Sequence, residues 1–236
     1  MKDILTQGLA QLNIAPPEGA VDKLCRYAGL LVEQNRVMNL TAITQPEGIA
    51  RLHFLDSAAL LPLLGDTADK RLIDVGTGAG FPGLPLKILL PQLDVTLLDS
   101  LNKRVDWLNE VSAQLGLTGV RAIQGRAEEK ALDKSMRDSF DLVTARAVAD
   151  LRLLAELCLP FVKVGGRFLA MKSVDSDQEL DQAAHAIKLL GGRVRDVKDY
   201  AIPGADVTHR LVIVEKVAPT LKGYPRRWAK IQKAPL

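Results

Sequence analysis

The sequence predicts an α/β fold: a mostly parallel sheet between helices, ending in an antiparallel hairpin and preceded by a small helical cap. Three observations predict it. Near residue 71 the apolar pattern changes from the three- and four-residue spacing of helices to short apolar runs that alternate with helical stretches. The first of these runs leads straight into a glycine-rich loop. The last two runs have no helix between them, and such a short connection suits an antiparallel pair. These changes divide the 236 residues into a helical cap (1–70), an α/β domain (71–216) and a basic C-terminal tail (217–236).

In the cap, Val21, Leu24, Cys25, Ala28, Leu31 and Val32 repeat at helical spacing between Gly19 and Asn35. A second helix is expected from about Glu47 to Leu64. The intervening Asn39-Leu40-Thr41-Ala42-Ile43-Thr44 has the polar residues of a turn or cap. Strands are then expected at Arg71 to Val75, Val95 to Leu98, Val120 to Gln124, Phe140 to Ala145 and Arg167 to Met171, with helices between them. A helix around Asp177 to Leu190 precedes the closing pair, Arg193 to Tyr200 and His209 to Lys216, joined through Pro203-Gly204. A dinucleotide-binding domain would ordinarily continue with another crossover helix instead.

Composition excludes several classes. Pro62, Asp66 and Lys87 interrupt every apolar stretch before it reaches the roughly 18 residues that cross a bilayer. Met1-Lys2-Asp3-Ile4 is not the start of a secretory signal, so a cytoplasmic location is expected. Cys25 and Cys158 form no C-x-x-C pair, and both are expected as small buried hydrophobes. His53, His185 and His209 are scattered, and no metal site is expected. The net charge of +3 comes from the tail: residues 216–236 hold Lys216, Lys222, Arg226, Arg227, Lys230 and Lys233 without an acidic residue. With Tyr224 and Trp228 interleaved, this segment either reaches RNA phosphates and bases or forms a solvated terminus.

The loop reads Asp74-Val75-Gly76-Thr77-Gly78-Ala79-Gly80. A dinucleotide fingerprint would need a glycine three places after Gly78, where Phe81 stands. The D-x-G-x-G-x-G pattern instead resembles the first motif of class I S-adenosylmethionine-dependent methyltransferases, which have a Rossmann-like sheet with an antiparallel hairpin at its end. Asp74, Gly76, Gly78 and Phe81 are therefore candidate cofactor residues. Ligands of open α/β sheets sit beyond the carboxyl ends of the strands, so the other candidates are strand ends. Asp99 closes the second strand, where a carboxylate can accept from both ribose hydroxyls or cap the following helix. Ala127 and Glu128 follow the third strand, where enzymes of this class border the adenine. Arg146 ends the fourth, either at the cofactor or substrate or in a salt bridge with Asp150 or Asp141.

What is missing around Thr144-Ala145-Arg146-Ala147 narrows the acceptor. There is no Asn/Asp-Pro-Pro-Tyr of exocyclic-amine methylation, and Cys158 sits in the apolar Leu157-Cys158-Leu159-Pro160 rather than as a nucleophile. An acceptor with a free lone pair, such as guanine N7, fits better, since it needs orientation more than a general base. No catalytic residue is assigned.

Together, Asn39-Leu40-Thr41-Ala42-Ile43, His53-Phe54-Leu55-Asp56-Ser57, Asp74 through Gly83, Leu97-Leu98-Asp99-Ser100 with Lys103-Arg104, and Ala145-Arg146-Ala147 resemble the RsmG (GidB) family. The resemblance runs from about residue 20 to the end. It implies an S-adenosylmethionine fold, no metal, and methyl transfer to guanine N7 in the decoding-region loop of 16S ribosomal RNA, as free RNA or in the small ribosomal subunit. By the family's pattern, Gly76, Phe81, Ala127, Glu128 and Arg146 match cofactor-contacting positions. His53 and Asp56, three residues apart on one helix face, either support the site or form a structural pair. Gln34 stands where members commonly have tryptophan, Lys172-Ser173 where they have Lys-Gly, and Trp228-Ala229-Lys230-Ile231 replaces the usual glycine and proline of the tail. A small-molecule methyltransferase or a non-catalytic RNA-binding protein with a degenerate loop are the alternatives. A monomer is expected.

Overall fold

The cap opens with α1 (Lys2–Gln11), which buries Leu5, Gly8 and Leu9 on one face. The computed structural model describes residues 1–65, 67, 69–146 and 149–236. The helix expected from Gly19 runs as α2 (Ala20–Met38), with Ala20, Leu24, Tyr27, Ala28 and Leu31 buried. It stops at Asn39, whose left-handed φ of 49° is tolerated by a short polar side chain. The second expected helix is broken into α3 (Pro46–Ile49), a π-helical turn at Ala50–Leu55, α4 (Asp56–Ala58) and α5 (Leu61–Leu64). Every residue from His53 to Leu60 is buried, so this stretch is enclosed on all sides rather than amphipathic. Pro62, which has no N–H to give, falls in the first turn of α5.

The strands expected in the α/β domain form within a residue or two. They are β1 (Arg71–Val75), β2 (Asp94–Asp99), β3 (Val120–Gln124), β4 (Phe140–Arg146), β5 (Val162–Ser173), β6 (Gly192–Ala201) and β7 (Thr208–Lys216). Only β5 is markedly longer than its apolar run. The order is β3-β2-β1-β4-β5-β7-β6, parallel from β3 to β5 and antiparallel where β7 enters between β5 and β6. The order reverses between β1 and β4, the place where open sheets part to admit a ligand.

Alternation along the strands feeds two cores. Leu72, Leu97, Leu142 and Leu169 face the cap together with α6 (Gly83–Leu89) and α7 (Asn102–Gln114), in one continuous cluster that includes Leu5, Leu24 and Phe54. Ile73, Val75, Leu98 and Val143 face α9 (Leu151–Cys158) and α10 (Asp177–Leu189) on the other side. Cys158 is fully buried there and Cys25 is half-buried. Burial pushes the Cys158 thiol well above its ordinary pKa, which leaves it protonated and unreactive. No helix among the described residues is long and apolar enough to cross a membrane.

The tail is not a solvated terminus. Lys216 is buried, and its ammonium donates to Asp138 Oδ1 at 2.8 Å and Thr220 Oγ1 at 2.7 Å. Arg137 donates to the carbonyls of Thr220, Leu221 and Tyr224 at 2.9, 3.1 and 2.7 Å. The Arg226 guanidinium clasps the fully buried carboxylate of Glu156 on α9, with bonds of 2.6 to 3.1 Å. Beyond it, α11 (Trp228–Lys233) drives Ile231 into the second core. Lys216 and Arg226 turn inward and Arg137 takes three tail carbonyls, while Lys222, Arg227, Lys230 and Lys233 remain exposed.

Candidate active site

The first strand delivers Asp74 beneath the glycine loop, and the structure moves it from the expected ligand contact to a brace. Its carboxylate is fully buried and accepts from Thr77 Oγ1 at 2.6 Å, the Gly83 amide at 3.0 Å and Thr144 Oγ1 at 3.0 Å. Burial raises its pKa against these three bonds. Gly76, Gly78 and Gly80 adopt φ of 69°, 58° and 92°, a region closed to most other residues. A Cβ on Gly83 would lie 2.4 Å from a Leu97 methyl, so that glycine permits helix and strand to touch.

The loop amides are largely spent inside the protein. Gly76 and Thr77 donate to the Leu98 carbonyl, Gly80 and Phe81 to that of Thr77, and Gly78 to Asp99 Oδ2 at 3.0 Å. What the loop offers outward is space: a Cβ at Gly78 would meet nothing within 4 Å. From the cap side, the buried Tyr27 hydroxyl donates to the Ala79 carbonyl and props the loop.

Beyond the strand ends lies a cavity of about 360 Å³, lined in part by Gly76, Asp99, Ala127, Glu128 and Arg146. Asp74 and Phe81, expected at the ligand, stand behind its wall, and Gly78 reaches it through Asp99. Asp99 Oδ1 accepts from the Leu101 amide at 2.9 Å just before α7, and its Oδ2 accepts from the Gly78 amide. A carboxylate has about four acceptor directions, which leaves capacity toward the cavity. Arg104 also lines the cavity, its guanidinium 3.5 Å from Asp99 Oδ2. Glu128, in the first turn of α8 (Ala127–Lys130), accepts from Arg126 Nε at 2.8 Å.

Arg146 ties the cavity to the rest of the molecule. It pairs with neither Asp150 nor Asp141, which go to Arg152 and Lys163. It donates instead to Asp56 Oδ2 at 2.9 Å and the Leu52 carbonyl at 3.1 Å, and a second nitrogen lies 3.1 Å from His53 Nδ1. Its guanidinium also sits 5.1 Å from the centre of the Phe81 ring, against which the His53 ring stacks at 4.4 Å. Burial and the adjacent Arg146 charge hold His53 down at about 4, so the ring is neutral. Nδ1 of this neutral ring lies 3.1 Å from both an Arg146 nitrogen and the Leu52 carbonyl, and Nε2 lies 2.8 Å from Thr41 Oγ1. The other oxygen of Asp56 takes Tyr200 Oη at 2.9 Å and His209 Nδ1 at 2.8 Å. His53 and Asp56 thus both engage Arg146, while Tyr200 and His209 were invisible as partners because only the β6-β7 hairpin brings them across. Ala147 of the same motif lies outside the described residues.

Residues 20–207 match the family model described as GidB, rRNA small subunit methyltransferase G. The chain belongs to this family. Among its relatives, the ribosomal RNA small subunit methyltransferase G of Alkaliphilus metalliredigens is 45% identical over 235 residues, covering 100% of this chain and 98% of the relative. That of Streptococcus gordonii is 46% identical over 231 residues, covering 98% and 97%. Solved structures agree on the class I methyltransferase fold. A SAM-dependent methyltransferase from Aquifex aeolicus gives a TM-score of 0.53 at 17% identity, over 75% of this chain and 96% of that one. A mutant of MtNAS in complex with S-adenosylmethionine gives 0.56 at 17% identity, over 84% and 73%. Within the GidB family, this chain carries the Asp56-Arg146 pair as a bridge between cap, sheet and hairpin. Among the described residues, no group of three His, Cys, Asp or Glu side chains is arranged around a possible metal ion.

Proposed function

We propose that the protein transfers a methyl group from S-adenosylmethionine to N7 of a guanine in the decoding-region loop of 16S ribosomal RNA, acting as a cytoplasmic monomer on the RNA or the small subunit. Family membership carries this reading, and the site supports it. The cavity fits the cofactor: about 360 Å³ is within the range of small-molecule sites, and the loop leaves Gly78 open beside a carboxylate at the second strand end. Asp99 would hold the ribose, Ala127 and Glu128 would border the base, and Arg146 would meet the end of the ligand nearest β4.

When bound, S-adenosylmethionine supplies an activated methyl group. Neutral guanine presents N7 with a lone pair in the ring plane and no proton to remove, so this chain's residues have orientation rather than acid or base work to perform. That agrees with the titrating groups present. His53 is neutral and already committed to Arg146 and Thr41, and the carboxylates of Asp56 and Asp74 are buried with their oxygens engaged. Arg146 is held rigid from three directions, which fixes the edge of the cavity against which donor and acceptor align.

Incubation of the purified protein with methyl-labelled cofactor and small subunits from cells lacking the gene is expected to place label in the RNA. Calorimetry with S-adenosylhomocysteine should show one site. Label that enters only small molecules would favour the small-molecule alternative, and failure to bind S-adenosylhomocysteine would leave a non-catalytic RNA-binding protein.

A further inference from the structure

The cavity wall holds a single aromatic side chain among the described residues, and it comes from the far end of the chain. Trp228, the first residue of α11, lines the cavity together with Leu157, Gly125 and Arg126, on the side where β3 ends. Its ring lies 5.5 Å from the Arg126 guanidinium. The same indole also lines a neighbouring hollow of about 280 Å³ with Glu128, Glu129 and Leu132, so it stands as a partition with open space on both sides.

The position of this ring is fixed rather than incidental. Arg226, two residues earlier, gives both its backbone amide and its guanidinium to the buried Glu156 carboxylate, with the amide bond at 2.8 Å. Three residues later Ile231 is fully buried in the second core. The indole is pinned between two anchors on either side of it in sequence.

We infer that the tail is a built-in part of the cofactor site and that Trp228 is the stacking platform for the adenine base. This rests on the reading that the cavity takes S-adenosylmethionine. Of the three parts of that ligand, the amino-acid end carries charges and the ribose carries hydroxyls, while the adenine is a flat, neutral ring. An indole suits the last and neither of the others. The order of the strands agrees: with the ribose at Asp99 on β2, the next strand outward is β3, whose end meets Trp228 and Arg126. The tail tryptophan that composition offers to RNA bases therefore serves a base already inside the protein. Trp228 is a positioning residue that acts on affinity and not on the chemistry of transfer.

Two measurements test this. The chain has two tryptophans, Trp107 and Trp228, and Trp107 is buried in α7. In a Trp107→Phe variant, titration with S-adenosylhomocysteine is expected to quench Trp228 emission with the dissociation constant found by calorimetry. Trp228→Ala should raise that constant about 5-fold to 100-fold, the range for loss of one base-aromatic stack, and Trp228→Phe should recover most of it. Adenosine, which lacks the amino-acid end, should show the same loss. Unchanged emission on saturation, or equal affinity in Trp228→Ala, would overturn the proposal while wild-type binding still upheld the cofactor reading. Absence of wild-type binding would remove both. If Trp228→Ala fails to fold, the emission titration and Trp228→Phe decide alone.

Discussion

Asp56→Ala is expected to destabilise the protein by about 3–5 kcal/mol, the cost of leaving a buried charge without its partner. Asp56 is fully buried and takes Arg146 on one oxygen and Tyr200 and His209 on the other. Removing it strands the Arg146 guanidinium, which is largely buried, beside a neutral His53 that cannot balance it. For a chain of this size the melting temperature should fall by roughly 6–20 °C. Asp56→Asn, which keeps the volume and one acceptor, should lose less.

The same substitution should change the pH dependence of stability. Burial pushes the Asp56 carboxyl up, but the His209 hydrogen bond and the Arg146 charge outweigh it and leave the pKa below its ordinary value. Asp56 therefore adds stability above its unfolded pKa near 3.8, and that is lost as pH falls through the lowered folded value. His209 is raised above 6.5, chiefly by its hydrogen bond to Asp56. Its contribution is complete below 6.5 and lost as pH rises through the raised folded value. The wild type should gain most over Asp56→Ala between these limits, and the gap should narrow above neutrality. Urea melts at pH 5.5, 7.0 and 8.5 read this directly; a gap that widens with pH would show that the two groups do not form a charged pair.

Asp99→Ala is expected to weaken S-adenosylhomocysteine binding by about 10-fold to 100-fold. Hydrogen bonds to a charged group contribute about 1.5–3 kcal/mol each, and one tenfold step is about 1.4 kcal/mol. The substitution also frees the Gly78 amide, so the loop loses the brace that holds it against β2. Asp99→Asn separates the two effects. Its amide could still accept from one backbone donor but would oppose the other with N–H, and it would carry no charge for Arg104. A change below twofold in Asp99→Ala, measured by calorimetry on folded protein, would remove Asp99 from the ligand contact.

The parts of this architecture that were legible in the sequence are those specified locally. The strand runs are short, apolar and bounded by turns, and the glycine loop needs positive φ at Gly76, Gly78 and Gly80, which few other residues supply. The parts that were not legible depend on contacts across long stretches of chain. Asp74 sits in the most recognisable motif, yet only the pairing of β1 with β4, which brings Thr144 to it, reveals a brace rather than a contact. Arg146 finds Asp56 from 90 positions away, nearer in space than the Asp150 and Asp141 that lie close in sequence. The enclosed stretch from His53 to Leu60 breaks helical periodicity because every face is covered, so one long helix was expected where four short turns stand. The tail reads as a polycation by composition, but Glu156 is the partner that turns Arg226 inward and delivers Trp228 to the cavity.

The most direct test is the identity of the methylated atom. Small-subunit ribosomal RNA from cells with and without the gene is mapped for N7-methylguanine by chain cleavage at the modified base. One guanine in the decoding-region loop should be methylated at N7 only when the gene is present, and the purified protein with S-adenosylmethionine should restore it to unmodified subunits. The same modification in both RNAs, or a methyl group restored at any other atom, would contradict the account.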